Sequence, residues 1–120
     1  MIAVIFEVWP AQGRTGDYLA LAAALRADLD AADGFISIER FQSLSDPSKL
    51  LSLFVWRDED AVTAWRNRQK HRQVQAAGRA EIFADYRLRV AQVIRDYGMT
   101  ERGQAPDDSR AVHDDSPAVV

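Results

Sequence analysis

Residues 35–56, FISIERFQSLSDPSKLLSLFVW, decide how this chain folds. Two apolar runs, 35–42 and 49–56, flank Asp46-Pro47-Ser48. Proline fixes its own φ, and the short Asp and Ser side chains hydrogen-bond nearby backbone, so this tripeptide predicts a turn and the whole stretch a β-hairpin. Both faces of that hairpin read as apolar. Phe35 and Phe41 share one parity and Ile36 and Ile38 the other, while Phe54 and Trp56 oppose Leu51, Leu53 and Val55. Helices cover only one face of such a sheet. A second apolar face calls for a partner, because large exposed apolar patches are rare on monomers. The simplest partner is a second copy packed sheet to sheet, a homodimer.

Working outward, IAVIFEV (2–8) is β-branched and aromatic, and the strand it predicts ends at Trp9-Pro10. Gly13 and Gly16 mark a loop, after which Tyr18, Leu21, Leu25 and Leu29 recur at helical spacing. Asp17 or Thr15 supplies the cap, and Gly34 suits the left-handed stop near Ala32-Asp33-Gly34. Asp58 caps a second helix that buries Ala61, Val62 and Trp65 and continues, past a kink, through Arg72 to Glu81. FADYRLRVAQVIRD (83–96) alternates Tyr86, Leu88, Val90 and Gln92 against Arg87, Arg89, Ala91 and Val93, a long last strand that Gly98 ends. The order β-α-β-β-α-β is an α+β, ferredoxin-like split βαβ: one antiparallel sheet with two helices on one face. Residues 1–98 form the domain, and 99–120 read as a flexible acidic tail.

The bulk properties narrow the function classes. A chain of 120 residues is one domain, and it buries only about two-thirds of its unfolded surface, so dimerisation adds stability. The absence of cysteine excludes disulfides, thiolate metal ligands and a Cys nucleophile, and fits a reducing compartment. The apolar N-terminus lacks a basic leader and is too short for a signal peptide or a membrane span, so the expected location is the cytoplasm, away from membranes. From Met99 onward five acids face Arg102 and Arg110, which accounts for the whole net charge of −3. The body is neutral and carries no nucleic-acid footprint. With no His-x3-His or His-Glu constellation, no metal site is expected.

GFISIERFQSLSDPSKLLSLFVWRDEDAVTAWRNRQKHRQVQ (34–75) and YRLRVAQVIRDYG (86–98) together resemble the antibiotic biosynthesis monooxygenase family. The matching features are Gly-Phe before the second strand, the Trp-Arg-Asp-Glu-Asp-Ala junction, and Trp65 followed by His71. The resemblance implies a dimeric α+β barrel with a pocket between sheet and helices. It also implies a monooxygenase without metal, flavin or other cofactor, whose electron-rich phenolic substrate itself activates dioxygen. Such chemistry needs a base, a stabiliser for the developing oxyanion and an apolar cavity for the rings. His71 is the candidate base, with an ordinary pKa of about 6.5. Asn67 would hold a hydroxyl and Arg87, or Arg89, an oxyanion. Trp65, Tyr86 and Phe54 would contact the small aromatic substrate, with Tyr18 a further tyrosine of the right type.

Each of these residues also has a structural reading: core packing for Trp65, a solvated or capping role for His71, surface exposure for Asn67 and ion pairing for Arg87 and Arg89. Trp9 and Trp56 read as packing residues. The haem-degrading branch of the family is disfavoured. It expects an Asn in the first strand, where Glu7 stands, and a His ten residues past the Trp, where Gln75 stands. The alternative function is a non-catalytic dimeric small-molecule-binding or stress-related module of the same fold.

Overall fold

A computed structural model describes residues 1–114, with positions 69, 70, 74, 77, 78 and 80 described by backbone alone. The hairpin forms as its sequence predicts: β2 (Phe35–Gln42) and β3 (Leu50–Trp56) pair antiparallel around the 43–49 turn. Asp46 organises that turn, accepting from the backbone N–H of Ser48 at 3.1 Å and from the Trp9 indole at 3.0 Å. β1 (Ile2–Pro10) pairs with β3 on one side and β4 (Phe83–Gln92) on the other, giving the antiparallel order β2-β3-β1-β4 of a ferredoxin-like α+β fold. The helical elements are α1 (Thr15–Asp30), α2 (Glu59–Arg66), α3 (Gln69–Ala77), a π-helical turn (Gly78–Ile82) and α4 (Asp107–His113). Among the described residues no helix is long and apolar enough to cross a membrane.

Several boundaries differ from the sequence expectation for local physical reasons. β1 runs on through Trp9 and Pro10, because a register shift there lets β4 continue opposite a residue that has no N–H to donate. β4 stops at Gln92 rather than near Asp96. Gln92 faces Ile2, where β1 begins, and the Val93 N–H closes the ladder on the Met1 carbonyl at 3.0 Å. Neither Asp17 nor Thr15 caps α1. Arg14 is the capping residue without a side-chain cap, and Asp17 sits inside the first turn, ion-paired to Arg14. Asp58 does cap α2, accepting from the Ala61 N–H at 2.9 Å. Within the segment expected as a tail, α4 is held to its own approach by arginines. Arg102 reaches Asp114 at 2.7 Å and Ser109 at 2.6 Å, and Arg110 donates to the carbonyl of Gly103 at 2.6 Å.

Gly34 is not the helix stop, since α1 ends four residues before it, at Asp30, but it is the hinge into β2. Its φ of +82° lies in the left-handed region, and a Cβ built there would sit 2.6 Å from the Ala61 Cβ. Backbone strain and overpacking each cost about 1–3 kcal/mol. Gly34→Ala is therefore expected to lower unfolding free energy by about 2–4 kcal/mol on those figures. A urea titration checks this, and an unchanged midpoint would contradict it.

The two sheet faces differ. β2 breaks simple alternation: a bulge between Phe35 and Ser37 sets Phe35 opposite Trp56 and Ile38 opposite Phe54, so both point to the helices. Phe41 pairs with Leu51 on the open face. That face also carries Ile5, Leu53 and Val55, and leaves Phe41 44% and Ile36 51% exposed. On the helix side there are two core clusters. One joins Ile2, Val4, Leu25, Leu29, Trp56, Ala61, Val62 and Trp65; the other joins Val8, Tyr18 and Ile82 with Phe6, Leu21, Leu50 and Phe83 around them.

Candidate functional site

Members of both clusters wall a cavity of about 340 Å³, at the lower end of the range for small-molecule sites. The sheet contributes Val4 and Phe6 from β1, Arg40 from β2, Phe54 and Trp56 from β3, and Tyr86, Leu88 and Val90 from β4. α1 contributes Tyr18, Leu21 and Leu25, and the α2–α3 region Trp65, His71, Arg72 and Gln75. β4 is an edge strand whose inward residues are incompletely covered, Leu88 being 52% exposed.

Trp65 and His71 form the most defined feature of the wall. Their rings stack with centroids 5.0 Å apart and 28° between planes. α2 ends at Arg66 and α3 begins at Gln69, so the two-residue break turns the chain and brings the His71 ring back onto Trp65. The His71 Nδ1 lies 3.2 Å from the Trp65 carbonyl oxygen. A carbonyl only accepts, so Nδ1 carries the proton in this bond and the basic lone pair of the neutral ring is on Nε2. Burial lowers the His71 pKa from its ordinary 6.5, aided by the nearby Arg72 charge and opposed by the hydrogen bond to Trp65. At neutral pH the ring is uncharged and able to accept a proton.

Aromatic contacts extend along the wall: Phe6 lies 5.6 Å from Tyr86 and 5.8 Å from Phe83, and Trp56 lies 6.1 Å from Trp65. The Tyr18 hydroxyl hydrogen-bonds the buried Ser52 hydroxyl at 3.0 Å. That bond satisfies two polar groups inside the apolar wall.

The expected site residues therefore divide. Trp65, His71, Phe54, Tyr86 and Tyr18 line one cavity. Asn67 is outside it, because it ends α2: its amide donates to the Thr63 carbonyl at 3.0 Å and accepts from Arg72 at 2.6 Å. Arg87 is also outside. It follows Tyr86 in an extended strand, and successive strand side chains point to opposite faces, so Arg87 falls opposite Glu7 on the open face. Arg89 shares that face and pairs with Glu7 at 2.7 Å, the structural ion pairing that was one of its two readings. Glu7 also pairs with Lys49, whose hydrogen bond is the main cause of its lowered pKa. Gln75 lies on the cavity wall. Among the described residues the cations that reach the wall are Arg40, Arg66, Arg72 and Arg79, none of them a sequence candidate. Among the described residues no group of three His, Cys, Asp or Glu side chains is placed to hold a metal ion.

This architecture has solved counterparts. Rv0793 from Mycobacterium tuberculosis superposes with a TM-score of 0.72 over 81% of this chain and 98% of that one, at 18% identity. SO0527 from Shewanella oneidensis gives 0.69 over 75% and 87%, at 17% identity. At such identities the likeness is one of fold. Sequence comparison reaches further. A protein of Pyricularia oryzae named jasmonate monooxygenase ABM is 45% identical over 93 residues, which is 78% of this chain. The aligned stretch is 43% of that protein, so the chain spans less than half of its length. Residues 1–77 match the antibiotic biosynthesis monooxygenase family profile, a stretch that holds β1 through α3 and both members of the Trp65–His71 stack. On that match and that relative, the chain belongs to the antibiotic biosynthesis monooxygenase family.

Proposed function

We propose that this chain is a cofactor-independent monooxygenase that oxidises a small aromatic or polycyclic phenol with dioxygen. The observation that carries the reading is a neutral, half-buried His71 stacked on Trp65 in the wall of an apolar cavity, with Nε2 left as its base. In the proposed reaction His71 takes the phenolic proton, and the carbanion form of the substrate adds dioxygen at a ring CH2 carbon. The hydroperoxide then loses water to leave a carbonyl. One oxygen atom enters the product and the other leaves as water. The four electrons all come from the CH2 carbon, so no external reductant is required. Trp65, Phe54 and Tyr86 hold the rings and exclude water, which strengthens the electrostatics of the site.

The name of the Pyricularia oryzae relative favours a second reading, a jasmonate-type cyclopentanone acid. Hydroxylating such a compound needs two electrons from a separate donor, which is why the phenol is preferred. The test is oxygen uptake by chelator-treated protein with dithranol, a commercial anthrone. Uptake above the spontaneous rate is expected. Its absence with dithranol, and its appearance with jasmonic acid plus a reductant, would move the assignment to the second reading. Binding of both without uptake would point to a non-catalytic small-molecule-binding module.

The reading includes a cytoplasmic homodimer, with the open face of Ile5, Phe41, Leu51, Leu53 and Val55 covered by a second copy. Light scattering is expected to give twice the 13.5 kDa chain mass. A monomer at micromolar concentration would contradict it.

A further inference from the structure

The charge of the cavity wall is one-sided. Among the described residues, Arg40, Arg66, Arg72 and Arg79 line it together with His71, and no Asp or Glu does. Three of these arginines come from the helical side, where they are exposed. Arg72 donates to Asn67 and Gln75, and Arg79 stacks over the Tyr86 ring at 5.9 Å. Arg40 differs from them. It rises from β2 on the sheet side, half-buried, opposite Ser52. The nearest hydroxyl across the ladder, that of Ser52, is already bonded to Tyr18. The Arg40 Nε is shut off from water and has no hydrogen-bond partner, and its guanidinium makes no ion pair among the described residues.

A buried N–H on a charged group is costly to leave unpaired. A guanidinium is a planar fork of donors that matches a carboxylate with two parallel hydrogen bonds, and it holds its charge when partly desolvated. Apart from Gln75, whose side-chain oxygen already accepts from Arg72, the rest of the described wall is aliphatic and aromatic, which suits a ring system and offers Arg40 no carboxylate. We propose that the substrate carries a carboxylate, that Arg40 anchors it, and that the apolar part of the molecule then lies against Trp65 and His71. This rests on the reading of the cavity as the substrate site. It makes Arg40 a specificity-determining residue: neutral phenols of the same shape bind less well than their carboxylated counterparts.

The test is binding, read as quenching of tryptophan fluorescence, so that it does not depend on turnover. The probes are anthraquinone-2-carboxylate and its methyl ester, which share the planar ring and differ in charge. The acid is expected to bind about tenfold to a hundredfold tighter, as expected for one charge-assisted contact. Arg40→Met, which keeps the aliphatic stem, is expected to bring acid binding down to the level of the ester, and Arg40→Lys retains part of the preference. Measurable binding of the ester by each variant reports an intact cavity. Equal binding of acid and ester by the wild type, no binding of the acid, or a preference that survives Arg40→Met would overturn the proposal. A matching loss for dithranol, which has no carboxylate, would assign Arg40 to the phenolic oxygen and also overturn it. Acid preference without oxygen uptake on any substrate would sink the monooxygenase reading and leave the carboxylate site standing. Uptake without acid preference would do the reverse.

Discussion

Replacing Trp56 with Ala is expected to remove about 3–5 kcal/mol of stability, from a total that for domains of this kind is about 5–15 kcal/mol. Trp56 is 1% exposed and is the largest of the fully buried side chains. It ends β3 opposite both Ile2 and Phe35, meets Phe35 edge-on at 5.5 Å and leans on Trp65 at 6.1 Å. Removing the indole joins the void to the existing cavity, and the sheet backbone, paired on both sides, is poorly able to collapse into it. The urea midpoint is expected to fall by roughly 2 M, given slopes of about 1–3 kcal/mol/M. A loss below about 1 kcal/mol would mean that α2 relaxes into the space, contrary to the tight packing that the ring contacts imply.

The second large effect is catalytic. His71→Ala is expected to lower the rate of phenol oxidation about 10²- to 10⁴-fold, the usual contribution of a positioned general base. Trp65 stays packed against Trp56 without its stacking partner, so stability is expected to change much less than activity. The pH dependence has a defined sign. Burial lowers the folded-state pKa of His71 below 6.5, so the active neutral form persists at neutral pH and the rate falls only as pH is lowered through the folded value. The same shift destabilises the fold in acid: below about 6.5 the unfolded histidine binds a proton that the folded one resists. Stability therefore declines from the ordinary value down to the folded one, and His71→Ala removes that part of the decline. A rate profile whose acid limb lies above 6.5, or one that His71→Ala leaves intact, would contradict this role.

How much of this was legible in the sequence depends on the kind of signal. The hairpin was, because two apolar runs around Asp-Pro-Ser leave few alternatives, and so was the Asp58 cap. The end of β4 was not, because it is set by where its neighbour β1 begins, a non-local fact. Nor was the inward turn of Phe35, which depends on a bulge that no composition announces. Among the site residues, Trp65 and Tyr86 follow from periodicity, while His71 reaches the cavity only through the break after Arg66. Placing Tyr86 and Arg87 in one site conflicted with the strand's own alternation, and that conflict was readable beforehand. Arg40 had a signal too: it shares a parity with Ile38 on the strand face that meets the helices, and a charge on an apolar parity marks a polar group with a task.

The most direct test of the monooxygenase account is oxidation of dithranol under ¹⁸O₂ by chelator-treated protein, with the product analysed by mass spectrometry. The account predicts protein-dependent formation of a quinone that carries one labelled oxygen atom, with no hydrogen peroxide released. Unlabelled product formed with stoichiometric peroxide, or no product beyond the spontaneous reaction, would contradict it.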